Sequence, residues 1–493
     1  MTRRPSKLRR ALSAAAVLAV AALPIAASAA GWTDPPAIVS RDGILDTTMV
    51  LAPRALSFDG APLDAELING LYPGPVLRVR PGDTMRIQLV NHLAEPANLH
   101  FHGIQTSPLG NSDNILVVVP PGESFRYEIR IPEDQPPGLY WYHAHIHGLA
   151  TRQVTGGLSG ALVVEGLEKT LPAAPGLTER LFVLKDAEYE DDDPRVPADL
   201  HGVLQTINGQ TRVEPAMRPG ETQFWRFSNQ SANLYFHLTL RGHRFRVVAE
   251  DGVRLRQPRE TETLDLGPAS RMEALVDAGA PGDYDLVSDK VLTGDAMSRV
   301  LGSLHVGGET IVMPPATVPP AWSLEDLRQR TITARRTVVF TEDDAAEIYR
   351  IDGKVFAHGR IDTRVPLGST EEWTIKNDTD DMHVFHIHQL AFQVVAINGE
   401  PRPFNGYLDN VRVPERGTVT LLLPFTRREM IGTFVYHCHV LKHEDKGMMA
   451  AIQVYDPAAG PPPDGGLDTP LRWLRRRLAA AWNGLPLEYC GLR

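Results

Sequence analysis

Cysteine is almost absent: Cys438 and Cys490 are the only two in 493 residues, too few for a disulfide framework. Beyond the first thirty residues no stretch approaches the ~18 consecutive apolar residues of a membrane-spanning helix. Positive charge is not in excess either, since 50 Lys and Arg stand against 60 Asp and Glu for a formal charge of −10, which argues against nucleic acid as a partner. Helical periodicity is scarce along the whole chain. What remains, 43% apolar and 22% charged residues, is the profile of an ordinary globular protein, and the length allows about three domains.

The first residues, MTRRPSKLRRALSAAAVLAVAALPIAASAA, run from a basic segment through a short apolar stretch to an A-x-A site at Ala27 and Ala29. They predict a signal peptide over 1–29 and a periplasmic or secreted protein. Arg3-Arg4 or Arg9-Arg10 admits a twin-arginine route beside the general secretory one. The leader carries five basic residues and no acid, so its removal takes the formal charge from −10 to −15.

The chain repeats itself three times. NGLYPGPVLRVRPGDTMRIQLVN ends at Asn91, INGQTRVEPAMRPGETQFWRFSN at Asn229 and IDGKVFAHGRIDTRVPLGSTEEWTIKN at Asn377, each with a threonine (Thr84, Thr222, Thr370) seven residues before the asparagine. Between threonine and asparagine the sequence alternates as in a half-buried strand. A second landmark follows 47, 53 and 55 residues later: GLYWYHAH, GDYDLVSD and GTFVYHCH. Short alternating runs broken by Gly, Pro, Asn and Asp predict an all-β fold of three consecutive Greek-key β-sandwich domains, at 36–166, 172–312 and 335–456. VMPPATVPPAW reads as a linker.

Ten of the 17 histidines fall in four clusters: His100 and His102; His143 and His145; His383, His386 and His388; His437, His439 and His443. All four lie in the first and third repeats. The second has Tyr235, His237, Val287 and Asp289 at the corresponding places, so it carries no metal pattern and reads as a spacer. Clusters of this density predict metal. On a strand, positions i and i+2 share a face, so His437 and His439 face one way and Cys438 the other, and one tripeptide can address two sites. His383 and His443, with an axial thioether from Met448, suit Cys438 in a blue-copper site. The other eight imidazoles suit three copper ions between domains 1 and 3.

With these motifs in this order the chain resembles the multicopper oxidases, in particular their bacterial three-domain laccase-like members, over nearly all its mature length. The resemblance implies cupredoxin-like domains and four coppers: type 1 held by His383, Cys438, His443 and Met448, type 2 by His100 and His386, and the type 3 pair by His102, His143, His145, His388, His437 and His439. It implies a donor oxidised one electron at a time near the edge of His443 and dioxygen reduced to water at the trinuclear cluster. Glu444 and Asp113 match the family's proton-relay carboxylates; for Asp113 a turn role in GNSDN is the alternative. Phe101 stands where the family often has Trp.

Phenols, aromatic amines or low-valent metal ions are the donors implied. Cuprous-ion oxidation for copper tolerance is the main variant, although the Met-rich inserts that copper-efflux oxidases often carry are lacking. A non-enzymatic scaffold, as in relatives that have lost ligands, is opposed by the intact set; a nitrite reductase or simple electron carrier is opposed by the three repeats. His147 reads as a structural histidine, and His92, His201, His237, His243, His305 and His358 as ordinary ones. The acidic run EYEDDDP from Glu188 reads as a solvated loop. Residues 457–493 form a Pro-rich linker and a basic tail whose Arg472, Arg475, Arg476 and Arg477 alternate with Leu and Trp, suited to contact with an anionic membrane surface or to docking on the protein's own acidic body. Cys490 is left as a reduced thiol or an intermolecular link.

Overall fold

The computed structural model describes residues 31–171, 177–189, 203–289, 298–314, 318, 320–321 and 323–460. The expected leader, most of the acidic run beginning at Glu188, His201, the basic tail and Cys490 lie outside them. No helix among the described residues is long and apolar enough to cross a membrane.

Six β-sheets pair face to face into three sandwiches, each closed over its own apolar core. Their strands span Ala37–Val164, Thr178–Val306 and Ala334–Tyr455. The threefold repeat is one of topology. In each domain the strand ending in the repeated asparagine (Thr84–Asn91, Thr222–Asn229, Ser369–Asn377) lies parallel to the first long strand of the domain (Ile44–Phe58, Thr178–Glu188, Ala334–Asp343) and antiparallel to a third, Ser124–Arg130, Arg271–Asp277 or Thr418–Phe425.

The asparagine is repeated because it does the same work each time. Its side-chain oxygen accepts the backbone N–H two residues on, from Leu93, Ser231 and Thr379, while its amide donates to carbonyls of two separate segments. All three are fully buried, so one side chain turns the chain out of the strand and satisfies backbone oxygens that water cannot reach.

The second landmark is an interior strand of the other sheet. Gly138–His143 pairs with His100–His102, and Gly432–Cys438 with His383–Ile387; Gly282–Asp289 pairs with Phe236–Leu240 in the middle domain. The histidine clusters of domains 1 and 3 thus sit on adjacent strands at sheet ends that face each other.

Docking is fixed where the three domains meet. Ala150 and Val154 of the helix Ala150–Gly156, Ala232 of domain 2 and Leu441 of the helix Leu441–Asp445 form a small apolar cluster. The longer helix begins on a carboxylate from another domain: Asp445 accepts from the N–H groups of Gly148 (2.8 Å), Ala150 (3.1 Å) and Thr151 (2.7 Å). Its other end carries a cation, since Lys185 of domain 2 donates to the carbonyl of Val154 at 2.8 Å. Both charges suit the helix dipole.

Candidate metal centre

Register separates the histidines into two sites. In domain 3 the antiparallel pairing sets Phe385 opposite Cys438 and His386 opposite His437. Because alternate residues share a face, His383 joins Cys438 on the core side, and His386 and His388 join His437 and His439 on the other. In domain 1 His100 lies opposite His143 and His102 opposite Trp141, while Phe101, Tyr142 and Ala144 point into the apolar core.

On the core side Cys438 Sγ lies 3.4 Å from His383 Nδ1 and 3.7 Å from His443 Nδ1, and the two nitrogens are 3.1 Å apart. The outer nitrogen of His383 meets the Thr379 hydroxyl at 2.8 Å. His443 stacks on Tyr349, centroids 4.2 Å apart, and at 8% exposure it is the most accessible of the ten clustered histidines. Met448 is fully buried in the same cluster as Cys438; its carbonyl accepts from the Cys438 N–H and its N–H donates to the His443 carbonyl, while Met449 lies opposite His437. Burial pushes the thiol up to about 12 and His383 down to about 3. A thiol so buried gives up its proton when a cation takes its place.

The other side gathers eight imidazoles from two domains. His145, His388 and His437 converge, with Nε2 of His437 3.3 Å from that of His145 and 3.2 Å from that of His388. The rings of His100 and His388 stack at 3.8 Å and those of His102 and His386 at 3.9 Å, so each stack joins domain 1 to domain 3. His439 lies 5.1 Å from His102 and 5.3 Å from His143, centroid to centroid. All eight are at most 2% exposed, and burial holds each below the usual histidine range, neutral with a lone pair.

These residues fit copper by their unused nitrogens. Nε2 of His100, His143 and His386 and Nδ1 of His102 are buried without a hydrogen bond, while the opposite nitrogen of each ring is held by an oxygen: Asp113 Oδ1, the Ala144 carbonyl, the Asp409 carbonyl and Asp409 Oδ1 respectively. Such backing fixes the tautomer and the aim of a metal-binding imidazole.

Two carboxylates touch this site. Asp113 accepts the Phe101 N–H, meets His100 Nδ1 at 3.0 Å and receives the Gln389 amide of domain 3 at 2.9 Å, so its turn and its contact with a histidine coexist. Glu444 lies 3.1 Å from His437 Nδ1 and 3.5 Å from His145 Nδ1. Burial raises both carboxyl groups, most strongly Asp113. Asp409, in the segment GYLDNVRV, was not legible as a site residue, because a lone Asp outside any histidine cluster carries no spacing signal. His147 stands apart with its ring edge on Phe356, and His237 pairs with Asp265 of its own sheet.

Three tandem sandwiches with a thiolate–imidazole pocket and an eight-imidazole pocket back to back define a copper oxidoreductase. Three multicopper oxidase domain families match residues 52–169, 185–306 and 320–458, and the chain belongs to the multicopper oxidase family. It is 27% identical over 405 residues to a multicopper oxidase of Staphylococcus haemolyticus, covering 78% of this chain and 83% of that one. It is also 27% identical over 458 residues to the cell division protein FtsP of a Rahnella species, covering 87% and 94%. Among solved structures, the laccase-like multi-copper oxidase CueO of the lignin-degrading bacterium Ochrobactrum sp., which has oxidase activity towards lignin model compounds and lignosulfonate, superposes with a TM-score of 0.71 at 28% identity, over 85% of this chain and 99% of that one.

Proposed function

We propose that the protein is a laccase-like oxidase that takes single electrons from small donors and passes them to dioxygen, and that it works after export, as its leader sequence suggests. The observation that carries this reading is the His437-Cys438-His439 tripeptide, whose cysteine lies in one cluster while its histidines lie in the other. His383, Cys438, His443 and Met448 would hold a type 1 copper, His100 and His386 a type 2 copper, and His102, His143, His145, His388, His437 and His439 a type 3 pair. Bound copper supplies one-electron exchange at the first site and four-electron reduction of dioxygen to two waters at the second.

The protein contributes position, insulation and protons. His443 presents the accessible edge, held by stacking on Tyr349. The eight buried imidazoles exclude water from the site where oxygen is reduced. Asp113 and Glu444, raised by burial, hold protons beside His100 and between His437 and His145. Around His383 the surroundings are acidic: Glu342 Oε2 lies 3.7 Å from its Nε2, and burial together with Asp381 and Asp344 raises that carboxyl to about 7.

The test is copper loading of the mature chain with visible and EPR spectra, copper analysis and oxygen uptake. An intense blue band, about four coppers per chain and uptake lost in Cys438→Ser are expected, with the fastest of phenol, aromatic amine and cuprous ion marking the donor class. A chain that binds copper at neither site and consumes no oxygen would overturn the oxidase reading and leave a scaffold of the same fold.

A further inference from the structure

The middle domain carries none of the four histidine clusters, yet it sends one charged side chain to the edge of the eight-imidazole site. Arg271, on the strand Arg271–Asp277 of that domain, is fully buried. Its guanidinium grips Asp409 of domain 3 with two donors, Nη1 to Oδ1 at 2.7 Å and Nη2 to Oδ2 at 2.5 Å. Nη1 also donates to its own domain's Ala269 carbonyl at 2.9 Å, and Nε to the Leu139 carbonyl of domain 1 at 3.2 Å. One side chain therefore ties all three domains together.

Asp409 passes this hold on to two histidines. Its Oδ1 accepts from His102 Nε2 at 3.0 Å and its backbone carbonyl from His386 Nδ1 at 2.6 Å. A carbonyl only accepts, and an ionised carboxylate paired with arginine only accepts, so the protons sit on those two nitrogens. The lone pairs of His102 Nδ1 and His386 Nε2 are thereby left for the site, and neither atom has a hydrogen-bond partner among the described residues. Asp251, also of domain 2, completes the frame: its Oδ1 accepts the Arg271 N–H at 3.0 Å and its Oδ2 the Asn410 amide at 2.9 Å.

The close fit is written into a glycine. Gly103, next to His102, has φ +84°, and a Cβ placed on it would stand 2.5 Å from Asp409 Oδ2, 2.7 Å from the Tyr140 ring and 3.0 Å from Arg271 Nη2. The ion pair packs against bare backbone one residue from the histidine it orients.

We propose that Arg271 is a positioning residue for the trinuclear copper site: through its two-pronged grip on Asp409, the domain without copper fixes the tautomer and aim of His102 and His386. Without the guanidinium, Asp409 and Asp251 would be two buried carboxylates without their shared cation, and Asp409 would turn away, freeing His102 and shifting the backbone carbonyl that holds His386. Lysine replaces the charge but not the planar fork. None of the hydrogen bonds of His383, Cys438, His443 and Met448 involves Arg271, Asp409 or Asp251, so the effect falls on the other copper site.

This inference rests on the oxidase reading, and one experiment separates the two. Wild type, Arg271→Gln, Arg271→Lys and Asp409→Asn are loaded with copper and compared by copper content, blue absorption, type 2 EPR hyperfine splitting and copper titration of the apoprotein. The expected result is a preserved blue band in every variant with altered type 2 splitting and roughly 10- to 100-fold weaker binding at the trinuclear site, mildest in Arg271→Lys. Should Arg271→Gln fail to fold, Arg271→Lys and Asp409→Asn decide. Variants that keep full copper and an unchanged type 2 signal, with thermal stability alone reduced, would make Arg271 a mere domain fastener and overturn the inference. A wild type without blue absorption would instead remove the oxidase reading itself.

Discussion

At the scale of single residues, the two carboxylates near the imidazole cluster differ in what they touch. Asp113 is anchored on both oxygens, by the Phe101 N–H and by Gln389 of the opposite domain, so its place is set by two domains at once. Glu444 faces only the Nδ1 atoms of His437 and His145 and has no well-aligned hydrogen bond among the described residues for either oxygen, a costly state for a buried carboxylate unless it carries a proton or faces a cationic centre. Burial raises it in accord with that. In Glu444→Gln the side chain keeps its shape but loses its titrating proton. We expect full copper content and unchanged blue absorption, with the turnover number reduced about 100-fold or more; a variant with undiminished turnover would remove Glu444 from the proton path. Asp113→Asn should show the same pattern, since its carboxyl is the more strongly raised of the two.

At the scale of elements, the helix Ala150–Gly156 follows closely on the cluster containing His143 and His145; Gly157, in the left-handed region, closes its C-terminus, but its N-terminus is capped from another domain. The residue at its N-cap position, Leu149, offers no side-chain acceptor, and Asp445 of domain 3 instead serves the N–H groups of its first two residues and that of Gly148 before it. Asp445→Ala should cost about 1–2 kcal/mol, the range for losing a good cap, measured by urea unfolding of the apoprotein. An unchanged midpoint would show that water replaces the carboxylate without loss. The strands themselves were readable in the sequence, because alternation, the Thr-to-Asn spacing and the Gly-bounded landmarks are local signals. This helix was not: seven residues with a cap supplied from some 295 positions away leave no start signal in the chain around them.

At the scale of the whole molecule, the docking of domains 1 and 3 removes eight imidazoles from water together, and His383 and His443 are buried within domain 3. Burial lowers every one of the ten, to about 4 for His437 and about 3 for His383. A base with a lowered pKa stays neutral, and able to bind metal, below the usual histidine value of about 6.5. Copper should therefore be retained on dialysis at pH 5, where exposed histidines already carry protons that compete with the metal, and be lost only at more acid pH. Copper analysis after dialysis across that range checks this; release centred near 6.5 would mean that the site is open to water.

The sequence by itself determined the three repeats, the strands that carry the clusters and the division of His437, Cys438 and His439 between two faces. Each of these is set by short-range periodicity: a two-residue alternation decides which face a side chain takes, whatever the rest of the chain does. Only the tertiary structure decided what stands behind the clusters. Asp409, Arg271, Asp445 and Lys185 carry no motif, because a buried charge is specified by the partner it meets when domains dock, and those partners come from distant parts of the chain.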